Sequence, residues 1–367
     1  MIFISTQCFP PEQGGIQSLV YSLCAALSAS GENVRVFADA RSASDSVFDH
    51  QQTFPALRYS GLKPLRRRKK AREIVRLSAE QGSTAVRLIT DSWKSLEHMD
   101  TKNFSTVLCL AHGTEIPAQS SLLKSRRIRK ALSKATYVVA NSAYTANRIT
   151  PYVKDSGKIR VILPGVSAPA NDETADLSVR QTLSGHDPVL ITMARLEQRK
   201  GQLSVIRLLP RLVERFPKLK YVIAGEGSFR NVLEQAVQNL HMQDHVLFTG
   251  NLKEPYKTAW LKNSSLFVMP GSMVGQDVEG FGLAYIDAAL LGVPSIACNV
   301  GGAPEAVLHN QTGLVCESEN PETLAQCILE LTNNQSFCKQ LGINARLRAH
   351  SFLWQTKSTE YLALLRS

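Results

Sequence analysis

Short apolar, β-branched runs recur along the whole chain, and between them the apolar residues fall into helical spacing. In the N-terminal part the runs predict strands at 1–6 (MIFIST), 33–38 (NVRVFA), 85–90 (AVRLIT), 106–111 (TVLCLA), 136–141 (TYVVAN) and 159–164 (IRVILP). A second series follows at 188–194 (PVLITMA), 220–225 (KYVIAG), 245–250 (HVLFTG), 265–270 (SLFVMP), 294–299 (PSIACN) and 313–317 (GLVCE). The first helix is predicted over 16–30, where Ile16, Leu19, Val20, Leu23 and Leu27 form one apolar stripe. Strands that are apolar on both sides and alternate with helices argue for α/β architecture with doubly wound parallel sheets, here built twice. Segment 165–188 (GVSAPANDETADLSVRQTLSGHDP) is small, polar and Pro-containing, and reads as the connection between the two series, with a short helix inside it. Two Rossmann-like domains, 1–166 and 167–351, are therefore expected to face each other across a cleft, with ligands at the carboxyl ends of the strands.

Composition narrows the class. A chain of 367 residues is too long for one ordinary core, and 44% hydrophobic with 20% charged residues suits a globular protein. No apolar run reaches the eighteen or so residues of a membrane span. The opening MIFISTQCFPPEQGG has no charged stretch before its apolar residues and reads as a strand, not a signal peptide. Seven cysteines show no CxxC spacing, which suggests reduced, buried thiols in a cytoplasmic protein and no metal site.

Charge is distributed unevenly. Up to Gly165 there are 24 Lys and Arg against 12 Asp and Glu, whereas the remainder is close to neutral. Much of the excess sits in KPLRRRKKAREIVR, with Arg66, Arg67, Arg68, Lys69 and Lys70, and in KSRRIRK, with Arg126, Arg127, Arg129 and Lys130. Surface charge runs are often no more than solvated helix faces. Five consecutive cations cover every face of a helix, however, and no acidic run follows them. An anionic partner is expected for this half: a membrane surface, a phosphorylated lipid or an acidic glycan. Nucleic acid is disfavoured, because no aromatic residues interleave with the basic ones to stack on bases.

The candidate chemistry lies in loops that follow strands. Gly14 and Gly15 open the first helix, where free amides and the helix dipole suit a phosphate, although a tight turn needs the same residues. This is not GxGxxG, so a nicotinamide site is disfavoured. His112 leaves a strand end in CLAHGTE beside Gly113, Thr114 and Glu115, placed for a ligand or for a sheet-edge hydrogen bond. In TMARLEQRKGQ, Arg195 and Lys200 could clamp a diphosphate or be ordinary loop charges. AGEGSFR, with Gly225 and Gly227, and FTGNL, with Gly250 and Asn251, are backbone-rich turns able to read a base or a ribose. Finally, EGFGLAYID sets Glu279 before a helix, puts the amides of Phe281, Gly282 and Leu283 near its N-terminus, and places Asp287 inside it. Each piece is ambiguous, but their order is not.

Together with NSAYTANRI, VILPGV and GGAPEAV, these motifs resemble the retaining glycosyltransferases of family 4, with the GT-B fold. The resemblance runs from the first strand to FLWQTKSTEYLALL, which is similar to the family's closing helix and implies that residues 352–367 rejoin the N-terminal domain. It implies an enzyme that moves a hexose from a nucleotide-diphosphate sugar, GDP-mannose or a UDP-hexose, with retention and without a metal ion or other cofactor. By the same resemblance Arg195 and Lys200 hold the diphosphate, Glu279 binds donor-sugar hydroxyls, His112 lies near the reacting sugar, and Gly14–Gly15 approach the donor. The family's second acid, usually Glu, binds the ribose; here Asp287 is one methylene shorter. The PGVS at 164–167 also lacks the Asp that often follows in the family.

The expected acceptor is a lipid-linked or otherwise anionic glycan of the cell envelope, bound mainly by the basic domain. A peripheral position on the inner face of the cytoplasmic membrane follows from that expectation. Two alternatives share the architecture: a non-hydrolysing nucleotide-sugar 2-epimerase, which EGFGLAYIDA fits poorly, and a non-catalytic nucleotide-sugar-binding relative, which would not need His112, Arg195, Lys200 and Glu279 together.

Overall fold

The computed structural model describes residues 1–12, 14–42, 44–81, 86–113, 115–117 and 121–367. Among these, one sheet contains β1 (Ile2–Ser5), β2 (Val34–Asp39), β3 (Ala56–Tyr59), β4 (Arg87–Thr90), β5 (Thr106–Ala111), β6 (Tyr137–Ala140) and β7 (Ile159–Val161), in the order β3-β2-β1-β4-β5-β6-β7. A second contains β8 (Val189–Met193), β9 (Lys220–Ala224), β10 (Val246–Gly250), β11 (Leu266–Met269), β12 (Ser295–Cys298) and β13 (Gly313–Cys316), in the order β10-β9-β8-β11-β12-β13. Neighbouring strands pair in parallel in both sheets. Strand order reverses beside β1 and beside β8, the switch points at which doubly wound sheets open a crevice at their carboxyl ends.

The two sheets belong to two compact units, Met1–Ser167 with Phe352–Ser367, and Ala168–Ser351. In the first, β1 and β5 are wholly buried, β4 is buried but for Arg87, and Phe3, Leu88, Cys109 and Val138 are core residues. In the second, Leu190, Tyr221, Ile223, Val268 and Ile296 lie in a core with the inner face of helix Gln202–Arg215. Inside segment 165–188 is helix Glu173–Thr182, begun by Asp172, whose side chain accepts from the Ala175 amide at 2.8 Å. The final helix, Trp354–Arg366, lies against helix Gly15–Ala29 and β5. Its approach is fixed by Val166 N–H donating to Phe352 O at 2.8 Å and Trp354 N–H donating to Val166 O at 3.1 Å. β3 was not expected from the pattern. Its sequence, ALRY, has Leu57 exposed and only Tyr59 buried, so this edge strand lacks the apolar run that marks the others.

Candidate active site

In the second unit, the loop after β8 carries Arg195, Glu197, Arg199 and Lys200. Lys200 Nζ donates to Glu279 Oε2, and Arg199 Nη1 lies 3.3 Å from the same oxygen. Arg199 Nη2 reaches Glu197 Oε2 at 3.0 Å, and the largely exposed Arg195 reaches Glu197 Oε1 at 2.7 Å. The structure thus brings Lys200 directly to Glu279 and ties Arg195 to the same group through Glu197 and Arg199. Burial raises the Glu279 pKa, but Lys200 and then Arg199 outweigh it and hold the carboxyl below its ordinary range. Glu279 is therefore ionised at neutral pH and can accept from hydroxyl groups.

Its backbone is fixed too. Gly302 N–H donates to Glu279 O at 2.9 Å, so the GGAPEAV turn after β12 clasps the strand-to-helix loop. Phe281 is buried as an anchor, and Gly282 (φ 97°) turns the chain into helix Leu283–Leu290. The left-handed backbone at Gly282 is why a glycine is required there. Tyr285, one turn on, donates its hydroxyl to Met269 O at 2.6 Å and stacks edge-on with Phe267. Lys200, Gly271, Ser272, Glu279, Tyr285 and Ala303 line a small cavity beside the carboxylate.

Gly225 and Gly227 have a more immediate reason to be glycine than a ligand. A Cβ at Gly225 would stand 2.0 Å from Ala194 O, and one at Gly227 would stand 2.3 Å from Leu196 O. Lacking side chains, the loops after β8 and β9 pack backbone to backbone, with Leu196 N–H donating to Glu226 O at 3.0 Å. Gly225 N–H in turn donates to Gly250 O at 2.7 Å, which brings in the loop that carries Asn251. These glycines hold the rim of the site together.

Asp287 is already engaged. Its Oδ2 lies 2.7 Å from Lys257 Nζ, a residue of helix Tyr256–Lys262. Burial lowers the Lys257 pKa, yet Asp287 outweighs it and the ammonium is held above its ordinary value.

In the first unit, His112 follows β5 and is buried. Its Nε2 lies 3.0 Å from Asp91 O. A carbonyl only accepts, so Nε2 carries the proton, and neutral imidazole then presents its lone pair at Nδ1. Glu115 Oε1 accepts from the His112 amide at 2.7 Å, while Thr114 lies outside the described residues. Asp91, which follows β4, accepts from Thr6 Oγ1 (2.9 Å), the Gln7 amide (2.7 Å) and Ser95 Oγ (2.5 Å), and so fixes the loop that holds the imidazole. Gly14 and Gly15 begin helix Gly15–Ala29, with Gly14 O accepting from Ser18 N–H at 3.0 Å.

The basic runs need correction. Lys70 is buried, with Nζ 2.7 Å from Asp39 Oδ1, and Arg66 Nη2 lies 2.8 Å from Asp39 Oδ2. Arg67 donates to Gln7 Oε1 at 2.6 and 3.1 Å. A helix turns about 100° per residue, so five consecutive cations in Lys63–Glu80 cannot all face solvent. The neutralising acid is Asp39 at the end of β2, far away in sequence. Arg127 is likewise paired, bidentate with Glu97, and Arg129 Nε reaches Pro151 O at 3.4 Å. Arg68, Lys69, Arg126 and Lys130 are exposed. So are four leucines at the starts of the same two helices: Leu62 (75%), Leu65 (62%), Leu122 (89%) and Leu123 (77%).

Comparison with known families settles the class. Residues 13–168 match the model Glycosyltransferase Family 4, and residues 175–348 match Glycosyl transferases group 1. A GDP-mannose-dependent α-(1-6)-phosphatidylinositol monomannoside mannosyltransferase of Mycolicibacterium smegmatis is 30% identical over 71% of this chain and 69% of its own length. The chain belongs to glycosyltransferase family 4. The Mycobacterium tuberculosis relative of the same description is 32% identical over 66% of this chain, and the match spans 64% of that relative. A Corynebacterium glutamicum GDP-mannose-dependent monoacylated α-(1-6)-phosphatidylinositol monomannoside mannosyltransferase is 27% identical over 99% of the chain and 97% of its own length. Among solved structures, Anabaena HepE in complex with UDP has a TM-score of 0.80 at 19% identity, covering 100% of this chain and 99% of that one. A Rickettsia africae glycosyltransferase has a TM-score of 0.81 at 19% identity, covering 100% and 98%. These likenesses bear out the GT-B fold read from the sequence of this family-4 chain.

Three residues of the site escaped the sequence reading. Arg199 stood between Arg195 and Lys200, and Asp91 followed a strand in LITDS. Both signals were available. Lys257 had none, because its link to Asp287 is made only by the packing of two helices.

Proposed function

We propose that the chain is a retaining mannosyltransferase that moves mannose from GDP-mannose to a lipid-linked, anionic glycan acceptor at a membrane surface. The observation that carries this reading is the ionised Glu279 held by Lys200 and Arg199 at the start of a helix, in a chain whose relatives bear GDP-mannose-dependent names. Cleavage of the anomeric C–O bond puts negative charge on the departing diphosphate and positive charge on the sugar. Lys200 and Arg195 stabilise the first as it develops, and Glu279 accepts from sugar hydroxyls. His112 positions and stabilises the reacting sugar through Nδ1, and Asp287 accepts from the ribose. The leaving phosphate assists deprotonation of the acceptor on the same face, so no carboxylate nucleophile is assigned. No metal enters this scheme, because side-chain cations take the diphosphate charge.

The acceptor assignment rests on the exposed cations and leucines of the first unit, and on relatives named for phosphatidylinositol mannosides. Among the described residues no helix is long and apolar enough to cross a membrane, so contact with lipid is assigned to this surface. The test is GDP release from GDP-mannose with an extracted lipid acceptor, alongside UDP-glucose as a competing donor. Turnover with GDP-mannose that falls at least a hundredfold in Glu279→Gln is expected. Release of no nucleoside diphosphate from either donor would favour the non-catalytic relative.

A further inference from the structure

The loop after β8 holds three cations, and the middle one, Arg199, is not among those assigned to the diphosphate. Arg199 is as buried as Lys200, with 13% and 12% of their side chains exposed, against 66% for Arg195. It is also the cation that touches both acids, Glu197 at 3.0 Å and Glu279 at 3.3 Å. Arg195 takes the other oxygen of Glu197, and Lys200 shares Oε2 of Glu279. Charge therefore alternates along a chain of five groups: Arg195, Glu197, Arg199, Glu279, Lys200.

Donor binding, as proposed above, requires both ends of this chain to turn toward a diphosphate. Each end would leave behind a carboxylate that is only 29% or 21% exposed. Leaving such a group without a cation is costly, because its hydration has already been lost. We infer that Arg199 is a positioning residue: it keeps Glu197 and Glu279 ionised and in place while Arg195 and Lys200 are handed over to the donor diphosphate. A guanidinium suits this task. It stays charged at any working pH, and its planar fork reaches two carboxylates at once, which a lysine ammonium does less well. Neither cation occupies Oε1 of Glu279, the oxygen that remains for a sugar hydroxyl.

The inference rests on the donor reading, and GDP binding by calorimetry separates the two. Wild-type protein that bound neither GDP nor UDP would overturn the donor reading and this inference with it. Given wild-type GDP binding, Arg199→Met is expected to weaken it about tenfold, because Glu279 then retains Lys200. Arg199→Lys should lie within about threefold of wild type. The deciding variant is Arg199→Met combined with Glu279→Gln, in which the neutral amide no longer holds Lys200: GDP affinity should rise at least threefold over Arg199→Met, short of wild type because Glu197 still holds Arg195. A purely structural role would lower the melting temperature without that recovery. Unchanged GDP affinity in Arg199→Met, or a double variant as weak as the single one, would overturn the role assigned to Arg199.

Discussion

Glu279 shows how a single carboxylate can be set by its neighbours. Its pKa is lowered in the folded chain, so its pairing stabilises the fold above the unfolded value of about 4.3 and that contribution is lost as pH falls through the lower folded value. Glu279→Gln should therefore melt below wild type at pH 7, and the gap should close as the pH drops below about 4. Thermal melts between pH 3 and pH 7 check this, and a gap independent of pH would contradict it. Asp287 poses the opposite question, because Lys257 already satisfies one of its oxygens. If it also receives the ribose, Asp287→Ala should weaken GDP binding about tenfold, or ~1.4 kcal/mol. Lys257→Met should then change GDP affinity less than threefold while lowering the melting temperature. Equal affinities in both variants would make the pair structural only.

Among the elements, what could be read from sequence followed burial. β5 and β11 are continuous apolar runs buried on both faces, so TVLCLA and SLFVMP announced themselves. β3 did not, since only Tyr59 of ALRY is buried. The basic helix Lys63–Glu80 was legible as a helix but not in its orientation, because Asp39, which draws in Arg66 and Lys70, is brought near only by the fold. In the site, motif order located Glu279, Lys200 and Arg195, while Arg199 and Lys257 gained meaning from distances that no spacing encodes. The closing helix Trp354–Arg366 packs on the first unit, and that packing gives a test. Trp354, Tyr361 and Leu365 are buried in the first unit. Trp354→Ala should cost about 3–5 kcal/mol. Chemical denaturation would read this as a shift of midpoint at constant slope, and a loss below 1 kcal/mol would show that the helix is not part of that unit's core.

Across the whole molecule the excess positive charge belongs to the first unit, but fewer cations face outward than composition suggests. Arg68, Lys69, Arg126 and Lys130, with the leucine pairs at 62 and 65 and at 122 and 123, are exposed and available to an anionic surface. Flotation with vesicles containing anionic phospholipid should recover the protein at low salt and much less at 0.5 M salt, where screening shortens the reach of surface charge to a few ångströms. Replacing the four leucines by serine should reduce recovery at least fivefold, whereas Lys70→Met, altering a buried residue, should not act through the membrane. Equal recovery on neutral and anionic vesicles would remove the electrostatic part of the assignment.

The return of residues 352–367 to the first unit also bears on how the protein is made. Residues 168–351 lie between the two parts of that unit. At roughly 5–20 residues per second, the ribosome needs about ten to forty seconds to pass through the insertion. Throughout that interval the nascent first unit has its sheet but not the helix that covers Gly15–Ala29. The inserted unit, whose parts are contiguous, can finish folding first, so the half that begins the chain is the last to be completed.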